Sequence, residues 1–399
     1  MAQAADRFRS RAREWLAANA PPHGSESDEE QVRTAKRFQK ALHEAGFVGI
    51  TWPAEFGGQG LSAAEQQIFD EEAASFDLPT SLFMIGMGMC GPTLADLGTA
   101  EQKTRYLPPL LRGEEVWCQL FSEPGAGSDV AGLQTRAVRD GAEWVVTGQK
   151  VWTSGAQHAD FGALLARTDP DVPKHRGITM FVVDMRAPGV QVRPLRDMTG
   201  RAPFNEVHFD EVRLPTDAVV GEVNAGWAAA VTMLGHERVS IGGSARPRYD
   251  PLAHRNLAEV AHRTGRDRDP AVRRELAALH AAERSLALYN TRMNQLADAG
   301  NPPGAAGSVA KLAGAELLWR AVHVAGLIRG AGLTAWAADD ADAEALAVAV
   351  NATPASSIAG GTNQVQRTII GDRILGLPAE PRVDRDVPFR QLRIGTQAS

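Results

Sequence analysis

Two polar, glycine-bearing segments hold the residues whose types and spacing suit ligand chemistry. The first is Leu120-Phe121-Ser122-Glu123-Pro124-Gly125-Ala126-Gly127-Ser128-Asp129-Val130. Its glycines and proline make a tight turn whose backbone N–H groups can face a ligand, and Ser122 and Ser128 add hydroxyls at the ends. The second is Gly148-Gln149-Lys150-Val151-Trp152-Thr153-Ser154-Gly155, in which Trp152 offers a flat wall and Thr153 and Ser154 offer hydrogen bonds. Such a pair suits a planar ring with polar edges, and flavin is the cofactor it suggests.

Elements of three kinds must position these segments. Up to about Glu114, apolar residues recur at helical spacing, with breaks at Pro21-Pro22, Pro53 to Gly60 and Gly91-Pro92. Capping boxes mark two helix starts, Ser62 with Glu65 and Thr99 with Gln102. Between Val116 and Val220 the pattern changes to short β-branched and aromatic runs: Glu143 to Thr147, Gly162 to Ala166, Ile178 to Val183, Val190 to Pro194 and Asn205 to Phe209. These predict a β domain, a small barrel or sandwich, that carries both polar segments. Helical spacing returns in Ala225 to Ser244, Leu252 to Thr264, Pro270 to Asp298, Gly307 to Arg329 and Asn363 to Leu375. The alanine-rich stretch Gly330 to Pro354, with Asp339, Asp340, Asp342 and Glu344, reads as a solvated charged surface. The expected fold is therefore α+β and multidomain: a helical domain over 1–115, a β domain over 116–221 and a helical bundle over 222–399.

Composition narrows the partners. With 399 residues and 44% hydrophobic content, the chain can bury a large core. A net charge of -6 gives no basic field for nucleic acid or an anionic membrane. No apolar run reaches the roughly 18 residues of a membrane span, so membrane insertion is not expected. Charges interrupt the N-terminal segment, which reads as an amphipathic helix and not as a signal peptide. Two cysteines, Cys90 and Cys118, make no disulfide framework, and a cytoplasmic location is the expectation. No metal is assigned.

Four motifs in order give the chain a resemblance to the acyl-CoA dehydrogenase family along essentially its whole length. They are Trp52-Pro53-Ala54-Glu55-Phe56-Gly57-Gly58, Ser122 to Asp129, Trp152-Thr153-Ser154, and Gly361-Thr362-Asn363-Gln364-Val365-Gln366-Arg367. The resemblance implies FAD. Gln119, Leu120, Phe121 and Ser122 match positions along the flavin, while Trp152, Thr153 and Ser154 match the segment that covers the ring and bonds its edge. Thr362 and Gln364 match contacts to the adenine half, and Ser128 matches a substrate contact.

The implied reaction removes an α-proton from an acyl-CoA thioester while a hydride leaves the β-carbon, giving a trans-2-enoyl-CoA. A positioned carboxylate is its natural base. Most relatives carry that Glu just before the late Gly-Thr pair, where this chain has Gly360. A minority, the isovaleryl-CoA and long-chain types among them, place it on a C-terminal-domain helix. The run Leu234-Gly235-His236-Glu237-Arg238 fits that placement. The resemblance thus assigns Glu237 as base and Arg238 as a residue near substrate. An ordinary helix ion pair is the alternative for each, and His236 is read as noncatalytic. The run Phe83 to Met89 is apolar material for either an acyl pocket or the core.

The resemblance also implies an electron-transfer flavoprotein as acceptor and a homodimer or homotetramer. The usual Arg and Phe-Gly pattern for the FAD pyrophosphate does not occur, and Arg263 to Pro270 reads as a loop before a helix. Such losses accompany relatives built from two different chains, so a heterotetramer stays open. Two alternatives also stay open: a flavin monooxygenase on the same fold, and a noncatalytic subunit that completes another chain's FAD site.

Overall fold

The computed structural model describes residues 2–21, 27–243, 250–299, 301, 304–381 and 384–392. The chain divides into two compact units, one of Met1–Asp197, Ala202–Ser240 and Pro381–Ser399, the other of Met198–Arg201 and Ile241–Glu380.

The first unit begins with helices α1 (Ala2–Asn19), α2 (Asp28–Glu44), α3 (Ala63–Ala73), α4 (Gly91–Leu97) and α5 (Ala100–Leu111). Buried Ala35, Phe38 and Leu42 form one stripe on α2; Phe38 and Leu42 join Phe8, Leu16, Phe47 and Phe69, and Ala35 packs with Phe83 and Val116. Both anticipated capping boxes are formed: the Ser62 amide donates to Glu65 at 3.0 Å, and the Thr99 amide donates to Gln102 at 3.1 Å. The methionine run passes through a single π-helical turn, Gly86–Cys90, with Phe83 and Met89 buried and Met84 exposed. Gly91 follows it, and a Cβ there would lie 2.3 Å from the Trp52 ring.

Eight strands follow: β1 (Trp117–Leu120), β2 (Arg136–Asp140), β3 (Glu143–Ser154), β4 (Phe161–Arg167), β5 (Ile178–Asp184), β6 (Val190–Leu195), β7 (Phe204–Pro215) and β8 (Val219–Val220). They form one sheet in the order β6-β7-β3-β2-β4-β5-β8, with β1 paired parallel to β4. Trp144 of β3 meets Phe181 of β5 at 5.6 Å although β2 and β4 lie between their strands. Strands about 4.8 Å apart allow that only if the sheet curls over itself. One core fills the concave side with Leu164, Phe181, Val207 and Val212; a second, with Trp117, Leu165 and Met180, includes Ala230 and Met233 of helix α6 (Gly226–Gly243). The sequence pattern missed β1, β2 and β8, whose runs are short or carry charged residues.

The second unit holds α7 (His254–Arg263), α8 (Pro270–Asp298), α9 (Gly307–Arg329), α10 (Ala341–Ser356) and α11 (Asn363–Arg373). Leu317, Ala321, Val324 and Ile328 form the buried stripe of α9 and pack with Leu257, Val260, Leu279 and Leu346. Helix α10 corrects the reading of Gly330 to Pro354 as mere charged surface. Asp340 caps α10 by accepting from the Ala343 amide at 3.0 Å and pairs with Arg329, and Asp342 pairs with Arg263 at 2.6 Å. The acidic residues start a helix and anchor it, because a carboxylate at a helix N-terminus satisfies exposed N–H groups.

Candidate functional site

The β domain brings the two polar segments together. The Val151 amide donates to the Ser122 carbonyl at 2.9 Å, which joins the end of β3 to the segment after β1. Lys150, fully buried, donates to the Phe121 carbonyl at 3.1 Å and to Glu123 at 2.7 Å. The Glu123 carboxylate also accepts from the amides of Gln134 at 2.6 Å and Thr135 at 3.0 Å. Burial by itself raises the Glu123 pKa, but Lys150 and these donors reverse the effect and hold it below the ordinary carboxylate value. The turn after Glu123 closes on itself through paired backbone bonds with Ala126, at 2.9 and 3.0 Å.

A bulge in β3 aims the second segment. Its register against β7 shifts between Lys150 and Thr153, and Trp152 takes φ 62°. This left-handed conformation costs a non-glycine residue about 1–2 kcal/mol. It turns the Trp152 indole outward, 57% exposed and edge-on to Phe204 at 5.8 Å, while Thr153 faces inward. Asn205 holds the bulge by donating to the Thr153 carbonyl at 3.1 Å. Ser122 and Ser154 are half-buried, Leu120 and Phe121 are buried, and Ser128 is exposed. The Gln119 Nε2 and Thr153 Oγ1 atoms are buried without a hydrogen-bond partner. Unsatisfied polar atoms on β1 and β3, together with an exposed indole on the same β domain, fit a planar ring with a polar edge.

Glu237 lies in the same unit, on α6. It is 8% exposed and shares a helix face with Ala230 and Met233, which pack in the core cluster that contains Phe121 and Ala126. A largely buried carboxylate can act as a base once a substrate proton is presented to it. His236, one residue earlier, turns to Asp96 of α4 at 2.8 Å. The Arg238 side chain lies outside the described residues.

The late motif belongs to the second unit. Thr362 caps α11 by accepting from the Val365 amide at 3.2 Å, and Gln364 is exposed one turn in. Gly360 and Gly361 take φ 64° and 83°, and buried Gln366 reaches back to their carbonyls at 2.9 and 3.3 Å. A carboxylate side chain in place of Gly360 would stand on a left-handed backbone.

With this geometry, three comparisons decide the family. Models of the acyl-CoA dehydrogenase N-terminal, middle and C-terminal domains match residues 3–114, 118–212 and 224–375. IpdE1, an acyl-CoA dehydrogenase of Mycobacterium tuberculosis, is 36% identical over 395 residues, 95% of this chain and 100% of its own. The chain belongs to the acyl-CoA dehydrogenase family. The family is one of flavoprotein oxidoreductases of lipid metabolism. FadE34, another acyl-CoA dehydrogenase of Mycobacterium tuberculosis, is 42% identical over 353 residues, 86% of this chain and 46% of its own, so the chain spans about half of FadE34. The solved Tcur3481-Tcur3483 steroid ACAD has a TM-score of 0.79 and 32% identity, covering 95% of this chain and 98% of that one. None of the described helices is long and apolar enough to cross a membrane.

Sequence reasoning singled out residues of both polar segments but missed Lys150, Glu123 and Asn205, which hold those segments in place. A signal was present: Lys150 and Glu123, of opposite charge, each sit inside a motif. Only the pairing of distant segments shows that both are buried.

Proposed function

We propose that the chain is an FAD-dependent acyl-CoA dehydrogenase that converts an acyl-CoA thioester to the trans-2-enoyl-CoA, with Glu237 as the α-proton base. The observation that carries this reading is the burial of Glu237 on the α6 face that packs with Phe121, in the unit where Gln119 and Thr153 have unsatisfied polar atoms. Bound FAD supplies the hydride acceptor at N5. By the family match, Gln119 to Ser122, Trp152, Thr153 and Ser154 would hold the ring, Thr362 and Gln364 would meet the adenine half of an FAD, and Ser128 and Arg238 would serve substrate. Closure around a thioester removes water from Glu237, raises its basicity and favours transfer of the α-proton to it.

The relative named for a steroid supports a bulky, steroid-derived acyl group. Its two-component name supports assembly of this chain with a related one. An electron-transfer flavoprotein reoxidises the enzyme, and the two buried, unpaired cysteines suit the cytoplasm.

Anaerobic addition of an acyl-CoA panel to the purified flavoprotein tests this reading. Substrate should bleach the long-wavelength flavin band, and Glu237→Gln should slow bleaching by roughly 10²–10⁴-fold with the resting spectrum unchanged. Unchanged bleaching in Glu237→Gln would remove Glu237 from the chemistry. A colourless chain that takes up FAD only with a partner would favour the site-completing subunit.

A further inference from the structure

The end of the chain returns to the β sheet as a strap. The Phe389 amide donates to the Val172 carbonyl at 2.9 Å and the Arg390 amide to the Pro170 carbonyl at 3.0 Å. Asp384 pairs with Lys174 at 2.6 Å, and Arg390 pairs with Asp171. These contacts lay the Phe389 ring over Arg167, the last residue of β4, with the guanidinium 3.6 Å from the ring centroid.

Arg167 is buried at 4% exposure, and burial lowers its pKa to about 10, so it remains a cation at neutral pH. Its hydrogen bonds go to carbonyls: Lys174 at 2.6 Å, Ala131 at 2.6 Å and Leu133 at 3.3 Å, with Nε unpartnered. No carboxylate bonds it directly among the described residues. Three carbonyl dipoles, the negative face of one aromatic ring and the fields of Glu123, Asp129 and Asp169 stabilise a desolvated charge. The Arg167 amide also donates to the Thr135 carbonyl at 2.7 Å.

Two of those carbonyls, Ala131 and Leu133, belong to the segment whose next amides, Gln134 and Thr135, hold Glu123. Glu123 holds Lys150, and Lys150 holds the Phe121 carbonyl. A continuous set of buried polar contacts thus runs from the strap to the strand behind the ligand-facing loop. Loss of the ring would let water reach Arg167 and release its grip on Ala131 and Leu133.

We infer that Phe389 is a positioning residue which, through Arg167 and the Glu123–Lys150 pair, sets the place of Gln119 to Ser122. The relay stands on contacts alone; its effect on FAD rests on the function proposed above.

Hydrogen exchange of the full chain without added cofactor tests the relay. Phe389→Leu keeps apolar volume but removes the ring face, and Phe389→Trp restores one. In Phe389→Leu the amides of Gln134, Thr135 and Val151 should exchange about tenfold faster, with α2 unchanged and Phe389→Trp close to wild type. Faster exchange confined to residues 167–174 and 384–392, or no recovery in Phe389→Trp, would overturn the inference. FAD titration of the same proteins should show about tenfold weaker binding for Phe389→Leu alone. If the wild-type chain takes up no FAD, the proposed function fails while the exchange result still decides the relay.

Discussion

The end of strand β1 with the two residues after it, Gln119 to Ser122, and the turn Gly360 to Gln366 are both short motifs, yet they are held by different means. The late turn is self-contained: Thr362 caps its own helix, and Gln366 reaches back only six residues to the Gly360 carbonyl. The strand depends on Lys150, 27 residues from Glu123 in sequence, and on amides at Gln134 and Thr135. A buried ion pair costs several kcal/mol in desolvation and is tolerated only when its remaining donors and acceptors are satisfied. Glu123 meets that condition with Lys150 and two amides. The difference predicts that damage to the strand spreads through its unit, whereas damage to the turn stays local.

The largest effect tests the spread. Lys150→Met leaves Glu123 buried without its cation and should cost about 3–5 kcal/mol by chemical denaturation. Adding Glu123→Gln should recover part of that loss, since the pair acts as one unit with a coupling of about 1–3 kcal/mol. Strict additivity of the two substitutions would show that they do not act as a pair. Gly361→Ala is the counterpart in the turn. Its Cβ would lie 2.6 Å from Gln366 Nε2 at φ 83°, so it should cost about 1–2 kcal/mol. Exchange in the first unit should not change; if it did, the contrast between the two motifs would fail.

What was legible in the sequence follows the same division. Local physics writes itself into short spans: the capping boxes at Ser62 and Thr99, the α9 stripe and the bounds of α8 all follow from spacing within a few turns. The alternation of fold class, helical then β then helical, is equally plain, and the domain models match in that order. Strand β2 was missed because Arg136, Arg139 and Asp140 leave it only one buried side chain, so its place comes from pairing with β3. Helix α10 was missed because Asp340 and Asp342 read as solvated charge until Arg329 and Arg263 arrive from other helices. The bulge that exposes Trp152 arises from a register shift against β7, which no local pattern encodes. As candidates, types and motif order singled out Gln119, Trp152 and Glu237, but not Lys150, Glu123 and Asn205, which hold the two polar segments.

The smallest effect compares Glu123 with a half-buried carboxylate. Asp70 on α3 accepts a hydrogen bond from Gln66 at 2.9 Å, but burial outweighs that bond and raises its pKa to about 6. For Glu123, whose folded pKa is lowered, the stabilising contribution is present above the unfolded value and is lost as pH falls through the folded one. Asp70 has the opposite sign: its contribution is complete below the unfolded value of about 4 and is lost as pH rises through about 6. Asp70→Asn should therefore match wild type near pH 4 and exceed it near pH 8 by about 1 kcal/mol, the shift being discounted for partial solvent exposure. Thermal melts across that range check the sign. A stability difference that does not change with pH would mean that Asp70 ionises normally, leaving the supply of partners, and not depth of burial, as the property that separates the two carboxylates.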